Sequence, residues 1–190
     1  MNKNKNIMWL CTIIILISAI SITNLTIKFA LIIPSIIIAL FVFYKNAPQM
    51  VNLSNENVKV KLVKRLTIIT ALFIILILCI SIFSQNLPEK FVKNILLISF
   101  TLYFIYFGNE CPKIPCNRYL GLRLPWTIAD EQTWRYTHKI VGYLSFPGAI
   151  IMLLVGMFFS FEIGIILGIS IFAIIPSIMS YRFYKKFYYK

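Results

Sequence analysis

A chain of 190 residues with 59% apolar and 13% charged residues lies well outside the composition of soluble domains, which run at roughly 45–50% apolar and 25% charged. Disorder is excluded too, because a chain this apolar does not stay solvated, and the length leaves no room for a large soluble domain beside the apolar segments. The 19 Lys and Arg against 6 Asp and Glu, a formal net charge of +13, must therefore be read against a bilayer: no basic run sits on a soluble scaffold that could dock a nucleic-acid groove, and no direct nucleic-acid contact is expected.

The first apolar stretch, about Ile7 to Ile22, follows Lys3 and Lys5 as the h-region of a signal peptide follows its n-region. No small-x-small cleavage site comes after it, and the second stretch, about Phe29 to Tyr44, lies close enough to form a helical hairpin with it, Pro34 included. The third runs from about Leu66 to Phe83. The fourth, about Ile95 to Phe107, is short unless it extends back through Phe91 with Lys93 snorkelling to the headgroups. The fifth, about Ile140 to Phe159, and the sixth, about Ile163 to Tyr181, reach the roughly 17–25 residues that a span needs. The expected fold is all-α: a single polytopic membrane domain over residues 1–190 with six transmembrane helices.

Charge by connection supports this count. Sixteen Lys and Arg fall in the N-terminal tail, the second and fourth connections and the C-terminal tail, while three, Lys28, Lys90 and Lys93, fall on the other side. That asymmetry places both termini in the cytoplasm of a multi-pass protein of the cell membrane. Cys111 and Cys116 then face a reducing cytosol, where no structural disulfide is expected. The C-terminal stretch YRFYKKFYYK, Tyr181 to Lys190, reads as an interfacial anchor, rings at headgroup level and cations on membrane lipid.

The six apolar segments contain no Asp, Glu, Arg or His. Pumps and ion-coupled transporters usually keep ionisable groups at membrane depth, so this argues against transport. Hydroxyls such as Thr67, Ser81 and Ser99 read as packing groups bonded to neighbouring helices or to their own preceding turn. Polar chemistry concentrates instead in the fourth connection, Gly108 to Lys139, with half the acidic residues, two of the three tryptophans and the one histidine. A connection this long normally has a role or internal order. Its prolines, Pro112, Pro115 and Pro125, exclude helix in the first part, and Gly108 and Gly121 permit tight turns. From about residue 128 the pattern turns to an amphipathic helix, with Thr127 as N-cap, Asp130 three residues on, and Asp130, Trp134 and His138 on one face. His138 has two readings, a metal ligand or general base beside Glu110, Asp130 or the cysteines, or a lone interfacial histidine. No HExxH or CxxC spacing and no nucleophile elbow is present, so neither a catalytic residue nor a metal or other cofactor is expected. Asn109 and Asn117 read as loop braces, and Trp126 and Trp134 as interfacial or binding anchors.

The loop resembles the signature of the SdpI family of integral membrane immunity proteins. Gly108-Asn109 opens it, Pro112-Lys113 and Asn117 follow, Gly121-Leu122-Arg123-Leu124-Pro125-Trp126-Thr127-Ile128 fills the centre, and Asp130, Glu131, Trp134 and Thr137-His138 close it. Leu124 stands where the family usually has Thr, and the first 90 residues lack the Leu-Pro-x-x-(Ile/Val)-Pro-x-His stretch of longer members. The resemblance implies immunity of a toxin-producing bacterium to its own membrane-active peptide, with toxin and, in a second output, a cytoplasmic DNA-binding repressor as partners. It makes Asn109, Pro112, Asn117, Gly121, Arg123, Pro125, Trp126, Thr127, Trp134 and His138 the candidate site. The competing readings are a sensor that holds a repressor without protecting the cell, and a small transporter or membrane-embedded metal-dependent enzyme built on the loop.

Overall fold

The computed structural model describes residues 2–21, 25–51, 53–117 and 120–188; of the cations counted above, Arg118 and Lys190 lie outside them. Every regular element among these residues is helical. In chain order they are α1 (Asn2–Ser21), α2 (Leu25–Val51), α3 (Val58–Phe83), α4 (Glu89–Glu110), the short α5 (Pro125–Ala129), α6 (Glu131–Phe158) and α7 (Phe161–Tyr188). Five stretches among the described residues are long and apolar enough to cross a membrane: 29–49, 58–83, 89–113, 131–158 and 161–187. The 20-residue α1 lies outside that set, so five of the six expected spans stand on the structure.

The helices outrun their apolar stretches. Long cationic side chains reach out of a bilayer while their stems stay in it, so Lys59, Lys61, Lys64 and Arg65 open α3 without ending it. In the same way α4 starts at Glu89 rather than near Ile95, and α7 continues through the aromatic and basic residues after Tyr181. Hydroxyls inside the spans bond their own preceding turn: Thr67 Oγ1 to the Val63 carbonyl at 2.9 Å, Ser81 Oγ to Ile77 at 2.9 Å and Ser99 Oγ to Ile95 at 2.7 Å. That disposes of their polarity locally, as a medium without water requires.

The chain divides into two compact units, residues 1–76 and 77–190. In the first, α1 packs on α2, and Val60, Val63 and Leu66 are buried along the first turns of α3. Lys64 bonds Asn55 Oδ1 at 3.0 Å and lies over the Tyr44 ring.

In the second unit α6 packs against both α4 and α7, through small residues. A Cβ on Gly156 would stand 2.6 Å from Leu97 of α4, one on Gly164 of α7 would stand 2.6 Å from the Gly156 backbone, and one on Gly168 would stand 2.6 Å from the Met152 sulfur. With little hydrophobic drive between helices in lipid, such backbone approach supplies the packing energy. Phe104 of α4 stacks on Phe172 of α7 with centroids 4.9 Å apart. At one end of this bundle Lys93 Nζ bridges Glu89 at 2.9 Å and Glu162 at 3.1 Å, joining the first turns of α4 and α7. The polar connection folds over the other end. Outward faces stay apolar, with Ile163, Ile166, Ile174 and Ile178 each about half exposed, the surface a helix turns to lipid.

Candidate functional site

The connection is shorter and more ordered than its composition predicts. Helix α4 runs through Gly108 and Asn109 to Glu110, and Cys111–Lys113 adds one 3-10 turn. Pro112 enters that turn at its start, where its missing N–H costs nothing. Gly108 fits there because α6 passes closely: a Cβ on it would overlap the Ser145 side chain, and a Cβ on Gly142 would stand 2.7 Å from Pro112. Pro112 thus rides on α6 although solvent reaches its outer side. Asn109 is exposed on the last turn of α4.

Asn117 braces the next stretch. Its Nδ2 donates to the Pro115 carbonyl at 2.7 Å and the Leu120 carbonyl at 3.2 Å, and its Oδ1 accepts from Leu120 N–H at 2.7 Å. Gly121 follows at φ +110°, a conformation that side chains other than hydrogen rarely adopt. Here the conformation has a spatial reason as well. A Cβ at Gly121 would fall onto His138 Nε2, so the loop lies directly against the imidazole.

His138 is fully buried and both ring nitrogens meet backbone. Nε2 accepts from Leu122 N–H at 3.2 Å, so Nδ1 carries the proton and donates to the Trp134 carbonyl at 2.8 Å. The hydrogen bonds therefore require the neutral ring; a second proton would set an N–H against the Leu122 N–H. Trp134 is equally buried, stacks on His138 with centroids 4.0 Å apart, and donates from Nε1 to the Ile114 carbonyl at 2.9 Å. Two rings on successive turns of α6 thus clamp the two halves of the loop, Trp134 the segment at Ile114 and His138 the segment at Leu122. His138 is a fastener, with no lone pair left over for a metal. Among the described residues no group of three His, Cys, Asp and Glu side chains is placed to hold one.

Helix starts fall elsewhere than the sequence pattern predicts. A first helix, α5, begins at Pro125, and Thr127 sits inside it: Thr127 Oγ1 accepts from Leu124 N–H at 2.8 Å and lies within hydrogen-bond distance of the Leu122 and Leu124 carbonyls. The N-cap of the long helix is Asp130, extended at φ −139°, whose Oδ2 accepts from both Thr133 N–H and Thr133 Oγ1 at 2.7 Å. Both residue types cap helices well, but Pro125 takes the first position of α5, for which its fixed φ and missing N–H suit it, and that puts Thr127 at an interior position. The expected amphipathic helix from about residue 128 is therefore the start of α6 itself, continuous with the span. Asp130→Ala is expected to cost about 1–2 kcal/mol, and Asp130→Ser much less; chemical unfolding of the solubilised protein followed by circular dichroism measures both.

Short as it is, α5 is pinned to α7. Trp126 Nε1 donates to Ser180 Oγ at 3.0 Å, and its ring meets Tyr181 edge-on with centroids 5.0 Å apart. Ser180 was not among the expected site residues. It lies 54 positions away, and only its place at the start of the aromatic and basic segment hints at a role. Arg123 is exposed, as are Glu131 and Arg135, which pair at 2.7 Å, an arrangement worth little to stability. The site thus comprises a buried fastening layer, Asn117, Thr127, Trp134 and His138, with the half-buried Gly121 lying against it, beneath a polar surface that includes Asn109 and Arg123.

Of the two loop cysteines, Cys111 is buried and Cys116 half-buried, and both are free thiols. Burial, and after it the nearby carboxylates of Glu131 and Asp130, push the Cys116 thiol above its ordinary range. The thiolate is the reacting form. Alkylation of Cys116 in the folded protein is therefore expected to be slower near neutral pH than that of a free thiol and to keep rising above the usual thiol range, which stopped-flow labelling across pH measures in a variant lacking Cys11 and Cys79.

Residues 113–180 match the model of the SdpI/YfhL protein family, so the resemblance carried by the loop is borne out. The match takes in Asn117, Gly121, Arg123, Pro125, Trp126, Thr127, Trp134 and His138, ends on Ser180, and leaves Asn109 and Pro112 just ahead of it. Over 89 residues the chain is 27% identical to a protein of Bacillus subtilis (strain 168) described as "Immunity protein SdpI"; the alignment covers 45% of this chain and 42% of that protein. The chain thus spans less than half the length of the curated relative it matches. No solved structure matches it.

Proposed function

We propose that this chain, an SdpI-type membrane protein, is an immunity protein: it protects the bacterium that carries it against a membrane-active peptide toxin by binding the toxin within the bilayer. In this reading α1 is the sixth span, both termini and the loop lie in the cytoplasm, and the loop reports toxin by holding a DNA-binding repressor at the membrane. The observation that carries the reading is the family match itself, which coincides with the fastened loop and the two helices beneath it.

The geometry supports a transducer. The loop is tied to α6 by Trp134 and His138 and to α7 by Trp126. A toxin that favours one packing of these helices over another changes the loop through those ties, without touching it. Such a shift is limited by the toxin's differential affinity for the two packings.

Expression in a toxin-sensitive strain tests the primary claim: survival should rise in the presence of the cognate peptide, and no gain against any candidate peptide would refute it. Capture of a repressor without any gain in survival would assign the chain as a sensor. Orientation has its own test. A membrane-impermeant maleimide should leave Cys116 untagged in intact cells and tag it after permeabilisation, and tagging from outside would reverse the proposed topology.

A further inference from the structure

Where α5 docks on α7, two adjoining open clefts of about 660 and 590 Å³ share Trp126, Tyr181 and Lys185. The larger is completed by Ser177, Ile178, Arg182 and Lys186, the smaller by Pro125 and Tyr184. No carboxylate lines either, and among the described residues no ion pair occupies Arg182, Lys185 or Lys186. One helix ridge organises this surface. Ile174 and Ile178 stand exposed, one turn apart, below Tyr181, and the three cations follow immediately above. From the membrane side outward the order is therefore aliphatic, aromatic, cationic.

We propose that this groove is a specific site for the headgroup of an anionic phospholipid, built jointly by the signature loop and the last turns of α7. Arg182, Lys185 and Lys186 complement the phosphate, Trp126 and Tyr181 supply the aromatic wall at headgroup level, and an acyl chain follows the Ile178–Ile174 ridge. Charge complementarity and the apolar continuation select a lipid over a soluble anion, which would leave the ridge bare. The indole N–H of Trp126 is already spent on Ser180, so the ring offers the lipid its face and edge. Because Trp126 belongs to the loop, lipid in this groove holds α5 on α7. This site differs from diffuse attraction of a basic tail to a charged surface, and the inference does not depend on toxin immunity.

The test is native mass spectrometry on the full chain released from nanodiscs of phosphatidylcholine and phosphatidylglycerol. The wild type should retain phosphatidylglycerol selectively. Arg182→Gln/Lys185→Gln/Lys186→Gln should weaken retention roughly a hundredfold, about fivefold per cation removed at a membrane surface. Lys59→Gln/Lys61→Gln/Lys64→Gln, which removes the same charge from α3, should retain lipid as the wild type does, and so should the charge-keeping Arg182→Lys/Lys185→Arg/Lys186→Arg. Equal loss in both neutral triples, or none in the groove triple, would overturn the site. Displacement of the lipid by inorganic phosphate alone, or a second copy of the chain lost with the groove triple, would overturn it in favour of those occupants. Should the groove triple lose its helical signal, Lys185→Gln, common to both clefts, is read in its place, with about fivefold loss expected.

Discussion

Gly121→Ala is expected to destabilise the protein by about 2–4 kcal/mol, from forcing a side chain into a glycine conformation and from its collision with a packed ring. The two contributions separate. At φ +110° any Cβ is strained, and here that Cβ also falls onto His138 Nε2. In a His138→Ala background the collision is gone and the backbone cost remains, so the double-mutant cycle should show a coupling of about 1–2 kcal/mol. Thermal unfolding of the solubilised protein by circular dichroism provides the four corners. Additive effects would show that the loop does not rest on the imidazole.

Trp134→Ala should cost about 3–5 kcal/mol, the range for emptying a fully buried aromatic site. The indole is 1% exposed, stacks on His138 and satisfies the Ile114 carbonyl. Trp134→Phe keeps a ring against the histidine but leaves that carbonyl without its donor, for which about 1–3 kcal/mol is expected. Both changes release the loop around Ile114, two residues before Cys116. Cys116 should therefore alkylate faster in both variants, most in Trp134→Ala. If alkylation rates stayed at the wild-type value while stability fell, Trp134 would serve only α6 and not hold the loop.

Hydropathy placed five of the helices well because it is a one-dimensional property of the chain. Their ends were less legible. The start of α4 at Glu89 and the continuation of α7 past Tyr181 depend on Lys and Arg reaching outward, which a run of apolar letters does not record. Thr127 and Asp130 are both good N-caps, and their spacing alone favours a single helix start between them; the structure makes two, one at Pro125 and one at Glu131. The candidate site was legible as a list of residues but not as a set of roles. That His138 meets Leu122 and that Trp126 meets Ser180 follows from how α6 and α7 bring distant segments together. Asn117 was the easiest to read, since its partners lie within three residues.

The backbone contact between Gly156 and Gly164 stands next to the turn that joins α6 to α7, far from the loop. With no side chain to act as a cushion, that end of the pair behaves as a fulcrum. An α6 of 28 residues is about 42 Å long at 1.5 Å per residue. Ser180 stands on α7 about 24 Å from the Gly164 pivot at the same rise per residue, so tilting α7 by about 5° carries it through about 2 Å, enough to stretch the 3.0 Å bond from the indole of Trp126 beyond hydrogen-bond distance. The geometry is that of a lever whose long arm ends at the signature loop, so modest rearrangement deep among the helices would register there as a broken latch.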